Sequence, residues 1–127
     1  MPRTLTPREG DSSPWGLIDS VTPLGPDAVA VSTPSHGGIW VSPAGLAKIP
    51  APLRATAYSG GGWFEEDCDW CIPYLALGLH AFEQPAERRD RVRAAAWRTL
   101  ETWHTGHAAL LDRGAASAQN DQGATHD

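Results

Sequence analysis

The chain has 127 residues, of which 41% are hydrophobic and 20% charged, and this length fits one domain with its own core but not two. The net charge of −5 arises in residues 65–127, and because no basic stripe exists beyond a short arginine run at 88–93, we expect no direct nucleic-acid binding. The polar opening, the absence of any apolar stretch long enough to span a bilayer, and only two cysteines predict a cytoplasmic protein with free thiols and no membrane contact.

Three short apolar segments near the beginning predict a small antiparallel sheet. Residues 1–13 are polar and contain Pro, Gly and Ser, so we expect a disordered arm before a single domain at 14–113. Apolar and β-branched side chains then occur around 17–21, 28–31 and 39–41, with turn residues between them. This pattern predicts about three strands, and the turn between the second and third contains His36.

Helices are predicted after the strands. Ser42 and Pro43 have the residue types of an N-cap and a first helical position, so a short helical turn should begin there. With Asp69 as N-cap, a longer helix would run to about Phe82. Pro73 would then fall in the first turn, where its missing N–H costs little.

A second long helix is predicted from about residue 86 to residue 112. Its apolar positions step by three or four, which suits packing on a sheet, and core packing is the best explanation for Trp97 and Trp103. Residues 114–127 are expected to form a disordered tail. The element order predicts an α+β fold, in which two main helices pack on one face of a small antiparallel sheet.

The segment at residues 63–70 concentrates the chemistry of the chain, with four carboxylates in five residues and aromatic residues on both sides. Crowding can raise the pKa of at least one acid, and such a cluster suits acid/base catalysis, a hard divalent ion or capture of a cationic partner. The alternative is that acids precede a helix because its N-terminus is positive. The Gly triplet before the segment favours a site. The candidate partner-binding residues are Trp63, Phe64, Glu65, Glu66, Asp69 and Trp70.

A histidine on a Gly-rich turn provides the second candidate segment. His36 is followed by two glycines, which either let a ligand approach or simply supply the turn geometry. If the two segments meet, His36 and Cys68 can pair as imidazole and thiol, with a nearby acid orienting the ring. A buried structural role for Cys68 is the competing interpretation. The candidate catalytic residues are His36, Glu65, Glu66, Asp67 and Cys68.

The two cysteines have CxxC spacing, at Cys68 and Cys71, and His104 and His107 have HxxH spacing. The gap of 32 residues between the two pairs exceeds that of a zinc finger, and a redox CxxC would need a βαβ context that is missing. We therefore assign no metal ligands and no cofactor. A divalent metal is retained only as part of an enzymatic alternative.

Two motifs, at residues 32–38 and 63–70, resemble those of an uncharacterised domain family. They read Ser-Thr-Pro-Ser-His-Gly-Gly and Trp-Phe-Glu-Glu-Asp-Cys-Asp-Trp, and the resemblance covers roughly residues 14–112. The chain resembles this domain of unknown function in carrying its STP-x-HGG and W-[YF]-EEDC-x-W patterns. Members of the family occur in phages, plasmids and bacterial mobile elements. The resemblance implies a setting in which neighbouring proteins often act against host defences.

Two functional hypotheses follow. The first is an accessory protein of a mobile element that binds a host protein, as a counter-defence inhibitor of the anti-restriction or anti-CRISPR type. The second is a small hydrolase-like enzyme that uses His36 with residues 65–68, either alone or with the assistance of a divalent metal. The oligomeric state is left open.

Overall fold

A computed structural model describes residues 6–55 and 60–111, and these residues form an α+β structure, as predicted. The division into an arm, a domain and a tail stays a prediction, because residues 1–5 and the tail at 114–127 lie outside the described residues. The strands are β1 Ser12–Ser13, β2 Gly16–Leu17, β3 Ser20–Pro23, β4 Ala28–Ser32, β5 Gly37–Val41 and β6 Trp63–Glu65.

The main sheet has four strands in the order β3-β4-β5-β6, all antiparallel, and β1 and β2 form a separate hairpin. The prediction of about three strands was therefore too low. The strand missing from it, β6, is only three residues long and lies inside the acidic segment, where the carboxylates mask its alternation of half-buried and buried positions. It pairs with β5 in a register that sets Ile39 opposite Phe64.

The helices are shorter and more numerous than the two predicted. The α-helices are α1 Pro43–Leu46, α2 Ala51–Ala55, α3 Cys71–Ala76 and α4 Arg89–Trp103, and 3-10 turns occupy Leu79–Phe82, Ala86–Arg88 and Thr105–Leu110. The predicted cap of α1 is confirmed, since the backbone N–H of Gly45 donates to the Ser42 hydroxyl at 3.1 Å.

The first predicted long helix is interrupted, and its N-cap is wrong. Gly78 adopts a left-handed conformation with φ 63°, which ends the helical course of α3 before the turn at Leu79–Phe82. Trp70 rather than Asp69 occupies the N-cap position of α3. The Asp69 side chain is instead fully buried.

Both faces of the main sheet are covered, and helices lie on one of them. Ile39, Val41 and Phe64 join Trp97 and Leu100 in a core beneath α3 and α4. Trp97 is thus buried as predicted, whereas Trp103, also predicted to pack in the core, is 58% exposed at the end of α4.

The opposite face of the sheet packs against the segment that contains the β1–β2 hairpin. Val29, Val31 and Trp40 form a second buried cluster with Ile18. Trp15 contacts Trp63 edge to face, with ring centroids 5.6 Å apart, and so fixes the hairpin turn to β6. No helix in the described ranges is long and apolar enough to cross a membrane.

Candidate functional site

Pairing of β5 with β6 brings the two sequence motifs together. Gly38 lies opposite Glu65 in the ladder, and the backbone N–H of Glu66 donates to the carbonyl of Gly37 at 2.9 Å. A Cβ at Gly38 would lie 2.3 Å from the carbonyl oxygen of Phe64 and 2.6 Å from the Trp15 ring. The double glycine therefore permits close packing of the protein's own chain, which favours the structural interpretation of that pair.

Hydrogen bonds to Thr33 hold the turn that carries His36. The buried Thr33 hydroxyl donates to the carbonyl of His36 at 2.7 Å and accepts from the His36 backbone N–H at 3.1 Å. The Thr33 side chain thereby binds both backbone polar groups of His36 and holds the turn between the two residues. The His36 imidazole itself remains on the surface.

His36 and Glu66 face each other at the surface. The Nδ1 atom of His36 is 3.8 Å from Oε2 of Glu66, and the two side chains are 55% and 50% exposed. Solvent screens a pair of this kind, so its contribution to folding is small. Both side chains are free to contact another molecule from outside.

Glu65 has turned inward and stabilises the turn before α3. Its Oε1 atom accepts hydrogen bonds from the backbone N–H groups of Cys68 and Asp67, at 2.5 and 3.0 Å. Partial burial would raise the pKa of Glu65, but these hydrogen bonds, led by the one from Cys68, outweigh it and lower the pKa below its ordinary value. The carboxylate is therefore ionised, and its hydrogen bonds already cap the backbone N–H groups of the turn before α3.

Two predicted partner-binding residues lie in the interior. Phe64 is 2% exposed and Asp69 is 0% exposed, so neither can contact a partner in this conformation. The Oδ1 atom of Asp69 is 3.3 Å from Nε2 of His104, which also lies 2.9 Å from the carbonyl oxygen of Cys68. Because both neighbours of that nitrogen are acceptors, we assign a proton to Nε2. Asp69 therefore links the start of α3 to the end of α4.

The two thiols are poor candidates for nucleophiles. Burial, followed by hydrogen bonding to Glu65 and by the charges of the nearby acids, raises the pKa of Cys68 to about 12. Burial and the charge of Asp69 raise the pKa of Cys71 to about 12 as well. At neutral pH the thiolate fraction is then on the order of one in a hundred thousand. Cys68 thus occupies an environment that suppresses nucleophilic attack.

The remaining site residues lie at the surface or close to it. Asp67 and Glu66 are exposed, and Trp63 and Trp70 are partly buried. Across residues 6–55 and 60–111, no three His, Cys, Asp or Glu side chains are grouped so that they could hold a metal ion. Of the acidic segment, Glu66 is the carboxylate that both faces outward and borders a cavity.

That cavity is a groove of about 470 Å³ between the helix-covered face of the sheet and the helices. We call it the Trp70 groove. Pockets that bind small molecules commonly have volumes of about 300–1,000 Å³ and combine apolar walls with a few polar groups. The lining of the Trp70 groove includes Ile39, Glu66, Trp70, Tyr74, Glu83 and Arg88.

The aromatic wall of the Trp70 groove is fixed by packing. Trp70 and Tyr74 meet edge to face, with ring centroids 5.3 Å apart and an angle of 70° between their planes. Beside them Phe82 is 43% exposed at the mouth of the groove. Tyr74 is only 2% exposed, so the accessible aromatic surface of the groove belongs to Trp70, which is partly buried, and to Phe82.

At one end, the groove contains a small polar network centred on Glu83. The Tyr74 hydroxyl donates to Oε1 of Glu83 at 2.8 Å, and Nη1 of Arg88 lies 3.6 Å from Oε2. Burial, and then the bond to Glu83, raise the pKa of Tyr74, so that its hydroxyl remains a donor. The Glu83 side chain is only 14% exposed, whereas that of Arg88 is 46% exposed.

The sequence indicated Glu66 and Trp70 as site residues but did not indicate the other residues that line the groove. Trp70 and Tyr74 are four residues apart on a predicted helix, a spacing that places two rings on one face and would have indicated the pair. Glu83 and Arg88 carried no comparable signal, because their positions depend on the break at Gly78 and on the turns that follow it.

Comparison with known proteins identifies a family without assigning an activity. The model of a domain of unknown function, DUF7007, matches residues 8–126. No curated protein matches the chain. No solved structure matches it either.

Proposed function

Since the chain belongs to the DUF7007 family, a domain of unknown function, we propose its function from the site: it binds a partner protein through the Trp70 groove and the His36–Glu66 rim. The partner is a host protein in the bacterial cytoplasm, and the domain acts as an accessory factor of a mobile element. Within that setting we propose counter-defence, of the anti-restriction or anti-CRISPR type. The setting is supported by the resemblance of the two motifs to those of mobile-element proteins.

One observation carries the binding proposal, namely how the acids of residues 65–69 are used. Glu65 caps a turn and Asp69 is buried against His104, whereas Glu66 is half exposed beside the aromatic wall of the groove. Accessible aromatic side chains next to a charged rim are typical of the residues that dominate protein interfaces. Glu66 and the accessible aromatic side chains beside it therefore form a surface of the kind that binds partner proteins.

A pull-down from bacterial lysate tests the proposal. The wild-type domain, Glu66→Lys and Asp67→Lys are compared as bait, with captured proteins identified by mass spectrometry. Both substitutions reverse one exposed charge on the same turn, but only Glu66 lines the groove. We expect a partner that wild type and Asp67→Lys retain and that Glu66→Lys loses. Equal capture by all three baits would contradict a role for the groove.

The counter-defence role is tested separately in living cells. A bacterium carrying an active restriction system is transformed with a plasmid expressing the domain, and the plating efficiency of unmodified phage is measured. We expect wild type to raise plating and Glu66→Lys not to do so. If a partner is captured but plating is unchanged across several restriction and CRISPR systems, binding stands and counter-defence does not.

The hydrolase alternative has one specific observation in its favour, the 3.8 Å approach of His36 Nδ1 to the Glu66 carboxylate. A carboxylate beside an imidazole is the arrangement that orients a general base. The raised pKa of Cys68 weighs against a thiol nucleophile for it. Screening wild type and His36→Ala against ester, amide and phosphoester substrates, with and without Mg²⁺, tests this alternative; turnover lost in the folded variant would support it.

A further inference from the structure

We propose that the Trp70 groove accommodates an arginine side chain of the partner, whose guanidinium is recognised by the carboxylates of Glu66 and Glu83. This inference rests on the proposed binding function and specifies the chemistry of the partner residue.

The charged groups lining the groove favour a cation. They comprise two carboxylates, Glu66 and Glu83, and one guanidinium, Arg88, so the lining is net negative. An anionic group would meet both carboxylates in a half-enclosed space. A purely apolar group would shield them from water without offering a hydrogen bond, which costs free energy. A cation that carries hydrogen-bond donors balances the charge of the carboxylates and also supplies their hydrogen bonds.

The walls favour a cation with a long apolar stem. Ile39 and Val92 line the groove beside the rings of Trp70 and Tyr74. Methylene groups of Lys and Arg commonly lie on such surfaces while the charged end reaches a polar group. The accessible rings of Trp70 and Phe82 add cation–π attraction, which structures use more often with Arg than with Lys.

The chain itself presents a guanidinium at one end of the groove. Nη1 of Arg88 is 3.6 Å from Oε2 of Glu83, whereas a charge-assisted hydrogen bond between these groups is usually about 2.7–2.9 Å. The contact is therefore loose, and the Arg88 side chain is 46% exposed. In the proposed complex the partner's guanidinium shares the Glu83 carboxylate with Arg88 and the Tyr74 hydroxyl. Its planar donors match a carboxylate better than an ammonium does, which is why we assign arginine rather than lysine.

Short peptides test the inference directly. N-acetyl-Gly-Arg-Gly-amide is titrated into the 15N-labelled domain, and the indole N–H resonance of Trp70, assigned with Trp70→Phe, is followed. The matched probes replace Arg with citrulline, which keeps the shape without the charge, or with Lys. We expect saturable movement of the Trp70 signal with the arginine peptide and about tenfold weaker binding of the citrulline peptide.

Two variants locate the interaction. Glu66→Gln should weaken the arginine peptide about tenfold, while Asp67→Asn, the neighbouring exposed acid outside the groove, should change it less than twofold. Equal binding of the arginine and citrulline peptides, or a Trp70 signal that moves with none of the probes, overturns the inference. If the lysate pull-down still depends on Glu66 in that case, the proposed function survives and only the arginine assignment fails. If it does not, both fail.

Discussion

The carboxylate of Asp69 lies 3.3 Å from the imidazole Nε2 of His104, and the two side chains are 0% and 5% exposed. These residues are far apart in the chain, just before the N-cap of α3 and at the C-cap of α4. Their contact joins the acidic segment to the longest helix. It also explains why one acid of that segment is absent from the surface.

Asp69→Ala should destabilise the fold strongly, because it leaves His104 buried beside a cavity and without its charged neighbour. Removing one partner of a buried polar contact leaves the other unsatisfied, which costs about 1–3 kcal/mol and more where one of the groups is charged. We expect a loss of about 3 kcal/mol in the free energy of unfolding, measured by urea denaturation. Asp67→Ala, an exposed acid two residues away, should cost less than about 0.5 kcal/mol. Equal effects of the two substitutions would refute the assignment.

Gly38→Ala should be destabilising by about 2 kcal/mol. The added methyl group would lie 2.3 Å from the carbonyl oxygen of Phe64, and because both groups belong to the paired strands β5 and β6, the sheet would have to shift. Gly106→Ala serves as the matched control, since nothing lies within 4 Å of a Cβ there. Thermal unfolding of both variants measures the difference. A Gly38→Ala protein as stable as the control would mean that β5 and β6 are not packed as described.

Glu65 should make the stability of the fold depend on acid pH. Its pKa is lower in the folded protein than its ordinary value of 4.5, so its contribution is complete above that pH and is lost as the pH falls through the folded pKa. Glu65→Gln cannot ionise and should therefore lose less unfolding free energy between pH 5 and pH 3 than wild type. Urea denaturation over this range provides the measurement. If the free energy of unfolding changed with pH equally in the two proteins, Glu65 would not be the capping carboxylate.

Both thiols should resist alkylation in the folded protein. With pKa values of about 12, Cys68 and Cys71 contain very little thiolate at pH 8. We expect iodoacetamide to modify the native protein at least about 100-fold more slowly than the same protein unfolded in urea. Mass spectrometry of the cysteine-containing peptide follows the reaction. Rapid modification of native Cys68 would reopen its role as a nucleophile.

Local patterns in the sequence predicted the parts of the fold that depend on neighbouring residues. The α+β class, the turn at His36 and the Ser42 cap all follow from residue types within a few positions. The sequence also indicated that residues 63–70 form a candidate functional site. It did not predict that Phe64 belongs to a strand, because three residues are too few to establish an alternating pattern.

The remaining errors concern contacts that link distant segments. Asp69 looked like a helix cap because its partner, His104, is 35 positions further along the chain. The Trp70 groove was missed for a similar reason, since β5, α3 and the turns after Gly78 each contribute to its lining. Such surfaces are assembled by tertiary packing, which periodicity and local composition do not encode.

If the Trp70 groove is the surface that contacts a partner, site-specific photo-crosslinking in living bacteria should capture the partner from that groove. A benzophenone amino acid is placed at Phe82, 43% exposed at the mouth of the groove, or at Leu17, 63% exposed in the β1–β2 hairpin. We predict a discrete crosslinked product from position 82 that disappears when Glu66→Lys is added, and none from position 17. A product from position 17 alone, or one from position 82 that persists with Glu66→Lys, would contradict the claim.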